Sequence, residues 1–172
     1  MSVVALSTDE YEAAIPGLGA LVVDAVEGGA GVNFLAGVTD EEAMAWWRDR
    51  LDVVRDGTIS TFVARDLEGR IIGSTILIRS TNQNSPHRAE IGKVMVLRSA
   101  RRRGVARALM AAAEATARAE GRWLLLLDTH ADSPAEAMYR ALGWQAFGVV
   151  PNHAMIPDGT LSTTTYFWKD LR

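Results

Sequence analysis

Cysteine is absent from this sequence of 172 residues. Disulfide bonds, thiol nucleophiles and cysteine metal sites are therefore excluded. The histidines His87, His130 and His153 are scattered without metal-ligand spacing, so we expect no metal cofactor. No apolar run reaches the ~20 residues that span a bilayer, and the N-terminal residues lack the pattern of a signal peptide. These absences predict a cytoplasmic protein with no membrane partner.

Strong net charge is also missing. A net charge of -3 and a pI near 5.6 argue against a general nucleic-acid-binding protein. The basic cluster at 98–107 is local, which is typical of a site for a small anion and not for a polymer. A composition of 48% hydrophobic and 23% charged residues predicts one globular domain over residues 1–172.

Hydrophobic periodicity predicts an α/β (α+β) fold. Four helices are expected, with Pro16 interrupting the first of them. Glu68-Gly69 indicates a hairpin, and the continuous apolar run Trp123 to Asp128 indicates a central buried strand. The order β-α-α-β-β-β-α-β-α-β-β predicts a mixed central sheet of about seven strands flanked by about four helices.

The most informative stretch lies where a predicted strand ends and a helix begins, at Arg101-Arg102-Arg103-Gly104-Val105-Ala106. The first turn of a helix has amide groups without internal partners and carries partial positive charge. Such a helix end binds phosphate well, and Gly104 allows the chain to approach the anion closely. The pattern predicts a site for a ligand that carries a diphosphate.

This combination resembles the GNAT superfamily of acetyl-CoA-dependent acetyltransferases. The family signature is Gln or Arg, two variable residues, Gly, one variable residue, then Gly or Ala, and residues 101–106 match it at every fixed position. Three further features agree with the family in spacing: Val94-Met95-Val96, Ala135-Glu136-Ala137-Met138-Tyr139 and Leu142-Gly143-Trp144. Shorter runs, including Glu27-Gly28-Gly29-Ala30 and Arg88-Ala89-Glu90, are similar to GNAT enzymes that acetylate a small amino-acid-like toxin.

The resemblance implies a binding site for acetyl-CoA, used as a cosubstrate. The main chain around Arg102 to Arg107 would hold the pyrophosphate, while Arg101, Arg102, Arg103 and Arg107 supply positive charge. The main-chain groups of Met95 and Val96 would pair with the amides of the pantetheine arm, as an added strand does. The amide of Met95 or Val96 would also bind the oxyanion of the intermediate.

The resemblance further implies two catalytic residues. Glu90 would accept the proton of the attacking amine, directly or through a water, as a partly buried carboxylate can. A structural ion pair with Arg88 or Lys93 is the alternative for Glu90. Asp128 is a second candidate base or an anchor for the amine. Tyr139 would protonate the departing thiolate, although an interior tyrosine packed on the sheet would fit the same position.

One departure concerns Asp132, which stands where many family members carry an Asn that binds pantetheine. An ionised Asp donates no hydrogen bond, so this role is not transferred. The acceptor pocket would include Asn33, Trp46, Asp128 and His130, and the partner would be a small-molecule amine, as in antibiotic resistance. Acetylation of a protein N-terminus or lysine, a non-catalytic acyl-CoA-binding module, and a homodimer formed through the late strands are the remaining alternatives.

Overall fold

The computed structural model describes all residues from Met1 to Arg172. The helices are α1 (Thr8–Glu27), α2 (Asp40–Arg48), α3 (Leu51–Arg55), α4 (Val105–Ala119) and α5 (Pro134–Ala141), with a short 3₁₀ turn at Arg98–Ala100. The strands are β1 (Ser2–Ala5), β2 (Ile59–Arg65), β3 (Ile71–Arg79), β4 (Arg88–Val96), β5 (Leu124–His130), β6 (Gln145–Met155) and β7 (Leu161–Asp170).

All seven strands form one sheet in the order β1-β2-β3-β4-β5-β7-β6. Only the central neighbours β4 and β5 are parallel, and every other pair is antiparallel. The predicted mixed seven-stranded sheet is therefore confirmed. The hairpin between β2 and β3 turns at residues 66–70, as Glu68-Gly69 predicts.

Two apolar cores lie on opposite faces of the sheet. Leu109, Met110 and Tyr139 of α4 and α5 belong to one core, which includes Leu125 and Leu127 of β5. The helices α1 and α2 pack on the other face through Leu18, Val22 and Trp47, together with Met95 of β4. The period of two along each strand assigns alternate side chains to these two faces.

The helices differ from the prediction in two ways. The first helix is continuous from Thr8 to Glu27, so the predicted interruption at Pro16 is wrong. Glu12, whose carbonyl loses its usual donor, is exposed, and water can replace that donor. The second predicted helix is divided at residues 49–50 into α2 and α3, which makes five helices where about four were expected.

Thr39 and Trp47 determine where α2 lies. Thr39 caps the helix, and its side chain and that of Glu42 each accept from the other residue's main chain in a capping box. Trp47 is fully buried, and its carbonyl oxygen accepts a hydrogen bond from the Tyr11 hydroxyl of α1 at 2.7 Å. The adjacent Trp46 is partly buried at the edge of the same core and packs edge to face against Trp47, with 4.8 Å between the ring centres.

Candidate active site

The sheet opens between its two parallel strands. β4 and β5 pair only at Arg88–Leu124, Ala89–Leu125 and Glu90–Leu126, although β4 continues to Val96 and β5 to His130. Beyond Glu90 the two strands therefore separate, and β4 has an edge of main-chain groups without a neighbouring strand. An unpaired strand edge can bind an extended ligand that carries amide groups.

A bulge in β4 determines which residues face this open edge. Ser74 pairs with Met95 and Ile76 with Gly92, so that Lys93 and Val94 together oppose a single residue of β3. The Met95 carbonyl oxygen lies against β3, where a Cβ added to Gly73 would approach it to 2.9 Å. Since neighbouring residues of a strand direct their main-chain groups to opposite edges, Val94 and Val96 face the opening.

The structure consequently does not place the main chain of Met95 on the open edge. The Met95 side chain is buried in the core between α1 and the sheet. Val96 remains in the predicted position, and its carbonyl oxygen accepts a hydrogen bond from Nε of Arg101 at 3.4 Å. Val94 was identified in the sequence only as part of the strand and not as a binding residue, because the bulge cannot be located from composition.

The open edge leads to the predicted anion turn. Arg102 and Gly104 have φ of 61° and 78°, and Gly104 is the residue before the first turn of α4. No side chain caps this helix, and the amides of residues 102–107 have no main-chain acceptor. A Cβ added to Gly104 would meet no protein atom within 4 Å, so the space beside it is open.

The arginines of this turn are available to a ligand. Arg101, Arg102, Arg103 and Arg107 are exposed, and none of them forms a salt bridge. Val105, by contrast, is buried in the core and holds the start of α4 against the sheet. Cations at a helix N-terminus are unfavourable without an anion, so the arrangement is suited to bind phosphate groups.

Tyr139 lies on α5, which is positioned by Ser133. The Ser133 hydroxyl accepts from the Glu136 amide at 3.1 Å, while the exposed Asp132 adopts φ 58° and makes no side-chain cap. The Tyr139 ring is 5% exposed and packs against Trp144 and Phe167. Its hydroxyl has no hydrogen-bond partner and does not belong to the fully buried unpaired polar atoms, so it retains contact with solvent.

The surroundings of Tyr139 keep its hydroxyl protonated. Burial raises the pKa of Tyr139 above its ordinary value, and the negative charge of Asp128 raises it further. A phenol that remains protonated throughout the physiological range can donate a proton.

Glu90 and Asp128 occupy the opposite face of the sheet from Tyr139. Their neighbours Ala89, Leu125 and Leu127 point into the core beneath α4, so the alternation of each strand directs both carboxylates toward the α1 and α2 side. Both side chains are exposed, which contradicts the expectation that Glu90 is partly buried. Glu90 also makes no salt bridge with Arg88 or Lys93.

Two predicted acceptor residues, Asn33 and Trp46, meet at Lys93. The Lys93 ammonium donates to the Val32 carbonyl at 3.0 Å and to the Asn33 side-chain oxygen, and it lies 4.5 Å from the centre of the Trp46 indole. Arg50 covers the same indole at 3.3 Å. The sequence analysis named Lys93 only as a possible ion-pair partner of Glu90 and did not point to Arg50, because the contacting elements are far apart along the chain.

His130 lies at the end of β5, and its ring is hydrogen-bonded to the neighbouring strand β7. A nitrogen of its ring forms a hydrogen bond with the Ser162 hydroxyl of β7. No group of three or more His, Asp or Glu side chains comes together in an arrangement that could hold a metal ion. None of the helices combines the length and apolar character needed to pass through a bilayer.

Comparison with known proteins shows the family to which the chain belongs. The model of the acetyltransferase (GNAT) family matches residues 32–144, about two thirds of the chain. The chain therefore belongs to the GNAT family, and it is an N-acetyltransferase that uses acetyl-CoA.

Solved structures share the whole fold. The ribosomal-protein-alanine N-acetyltransferase of Brucella melitensis is 26% identical, with a TM-score of 0.75 over 99% of this chain and 100% of that chain. A GCN5-related N-acetyltransferase of Kribbella flavida is 24% identical, with a TM-score of 0.79; the match covers 99% of this chain and 97% of that chain. A phosphinothricin acetyltransferase of Sinorhizobium meliloti, solved with acetyl-CoA, is 17% identical, with a TM-score of 0.80; the match covers 99% of this chain and 88% of that chain.

Proposed function

We propose that the enzyme transfers the acetyl group of acetyl-CoA to a primary amine of a small molecule, by direct attack in a ternary complex. The observation that carries the proposal is the separation of β4 from β5 beyond Glu90, which leads along an open strand edge to the free amides of residues 102–107. No covalent enzyme intermediate is needed, since the amine itself attacks the thioester.

The open edge of β4 and the anion turn beyond it fit the two ends of acetyl-CoA, the acetyl donor. The amides of residues 102–107, with the charges of Arg101, Arg102, Arg103 and Arg107, would hold the pyrophosphate. The main chain of Val94 and Val96 would pair with pantetheine along the open edge. The thioester would then lie where the strands begin to separate, between Glu90 on one face and Tyr139 on the other.

The proposed reaction uses residues from both faces of the sheet. Glu90, or a water that it orients, accepts a proton from the ammonium, and the free amine attacks the thioester carbonyl. A main-chain amide that faces the opening, that of Val94 or Val96, would stabilise the oxyanion. As the C–S bond breaks, Tyr139 donates its proton to the thiolate. Asp128 is the alternative base, because it lies on the same face as Glu90 and ends the neighbouring strand.

Short sequence runs that resemble a known GNAT enzyme suggest which kind of amine the acceptor is. The runs Met95-Val96-Leu97, Leu127-Asp128-Thr129 and Pro157-Asp158-Gly159 resemble the tabtoxin resistance protein, a GNAT enzyme that acetylates an amino-acid-like toxin. The likeness to a phosphinothricin acetyltransferase points in the same direction. We infer a role in resistance to an amine-containing toxin or antibiotic, exerted in the cytoplasm, where acetyl-CoA is available.

A second candidate acceptor is a protein N-terminus. It is favoured by the 26% identity, over nearly the whole chain, to a ribosomal-protein-alanine N-acetyltransferase. Thiol release from acetyl-CoA, measured with small amines and with alanine-initiated peptides, separates these acceptors. A non-catalytic acyl-CoA-binding module would bind acetyl-CoA in calorimetry and release no thiol above background with any amine, which would overturn the proposal.

We also propose that the enzyme forms a homodimer through β6. This strand is at the edge of the sheet, and all of its residues except Gly148 are exposed. Phe147 and Val149 are 59% and 60% exposed, an apolar surface that is typical of a contact site. Light scattering should give twice the chain mass, and a monomer at micromolar concentration would refute the dimer.

A further inference from the structure

Two positive charges, those of Lys93 and Arg50, lie side by side on the face of the sheet that α1 and α2 cover. Both contact the indole of Trp46, with the Arg50 guanidinium carbon at 3.3 Å and the Lys93 Nζ at 4.5 Å from the ring centre. Lys93 belongs to the bulge of β4 and has φ 50°, and Arg50 follows α2. Neither residue belongs to the anion turn at residues 101–107, which lies beyond the end of β4 at Val96.

Neither cation forms a salt bridge, although Asp49 opposes the charge of Arg50 and Asp128 that of Lys93 from farther away. No carboxylate lies within 4.0 Å of Lys93 or Arg50. Burial and, to a smaller extent, the charge of Arg50 lower the pKa of Lys93, the more distant Asp128 opposes them, and the net result is a pKa of about 8. Two half-buried cations that repel each other are costly unless an anion joins them.

Hydrogen-bond donors remain free at both side chains. Lys93 donates to Val32 and Asn33, which leaves one of its three N–H groups, and Arg50 donates one N–H to the Trp46 carbonyl at 2.6 Å. These contacts fix the positions of the two cations without satisfying their charge. Preorganised donors of this kind bind a carboxylate or another acidic group with little loss of side-chain freedom.

The pair is located within reach of the reacting centre. Lys93 follows Glu90 by three residues on β4, and its contacts with the α1–α2 loop place it on the same face of the sheet as Glu90 and Asp128. An acceptor whose amine lies near Glu90 can therefore extend a second functional group toward Lys93.

We propose that Lys93 and Arg50 form the binding site for an acidic group of the acceptor, so that the substrate class is a small zwitterion with an amine and a carboxylate or similar anion. This inference rests on the proposed function, because it assumes that the acceptor enters from the α1–α2 face. Trp46 supports both cations and contributes to acceptor binding through them, since its ring face is already covered.

Binding can be tested without catalysis by nuclear magnetic resonance. The indole N–H signal of Trp46, assigned with Trp46→Phe, is followed while glutamate, methionine or glycine is added, each compared with its carboxamide. We expect a saturable shift with at least one amino acid and none with its carboxamide. The response should be lost in Lys93→Gln and Arg50→Gln and retained in Arg50→Lys.

Arg48→Gln provides the matched control. Arg48 lies on α2, carries the same charge and pairs with the exposed Glu41 at 2.6 Å, away from Lys93. This variant should respond like the unmodified enzyme. Equal shifts with acids and amides, or no shift with any of them up to about 0.1 M, would overturn the anion site.

Activity gives an independent readout. The ratio of kcat/KM for an amino acid over its carboxamide should fall at least about tenfold in Arg50→Gln, as expected on loss of a charge-assisted hydrogen bond. If carboxamides are acetylated as well as the acids, acetyl transfer is retained and only the anion site is refuted. If no thiol is released with any amine while Trp46 still responds to acids, the proposed reaction fails and the anion site stands.

Discussion

Replacement of Gly104 by Ala tests whether coenzyme A approaches the main chain at this turn. Gly104 has φ 78°, and an alanine in that conformation costs about 1–2 kcal/mol. Since a Cβ there meets no protein atom within 4 Å, there is no steric clash to add. At roughly 2–4 °C per kcal/mol for a domain of this size, we expect a modest decrease in Tm and a folded protein.

The effect on acetyl-CoA binding should be larger. The new methyl group would occupy the open space beside the amides of residues 102–107 and displace the pyrophosphate from one or more of them. Loss of one charge-assisted hydrogen bond, worth about 1.5–3 kcal/mol, corresponds to a roughly ten- to hundredfold higher Kd. Calorimetric titration with acetyl-CoA measures this change directly.

Gly121→Ala is the matched control at the other end of α4. Gly121 has φ 73° and also has no neighbour within 4 Å of an added Cβ, so the conformational cost should be the same. We expect the two variants to have similar Tm values, with affinity reduced only in Gly104→Ala. The assignment of the phosphate site is refuted if both variants bind acetyl-CoA equally well.

Three further predictions concern the reaction. Tyr139→Phe should lower kcat by roughly a hundredfold and leave both the acetyl-CoA Kd and the Tm almost unchanged, because the hydroxyl has no partner in the protein; an unaltered kcat would remove the acid role. Glu90→Gln should lower kcat/KM at neutral pH, with the deficit shrinking at higher pH as free amine becomes available. A larger deficit in Asp128→Asn than in Glu90→Gln would transfer the base role to Asp128. Finally, burial, the charge of Arg50 and the opposing charge of Asp128 leave the pKa of Lys93 lowered to about 8. The ammonium is therefore charged below that pH and neutral above it, and the preference for acidic acceptors in kcat/KM should decline as pH rises through about 8; a constant preference from pH 6 to 10 would contradict this.

The sequence by itself determined the parts of the site that are contiguous. The turn from Arg101 to Arg107 is a local structure, in which Gly104 supplies the positive φ and the start of α4 supplies the amides. The order of strands and helices also followed from hydrophobic periodicity, since each element has to bury one face. The arrangement around Tyr139 was predictable to the extent that Ser133 caps α5 and the spacing to Gly143 agrees with the family.

Only the tertiary structure decided the features that depend on distant contacts. Pro16 lies within a continuous helix because packing of α1 against the sheet outweighs one lost hydrogen bond. The main chain that faces the opening belongs to Val94 and Val96 because a bulge shifts the register of β4 by one residue, which composition does not reveal. Lys93, Arg50 and Trp46 meet because β4 and α2 pack side by side, and the charge that they concentrate exists only once that packing has formed.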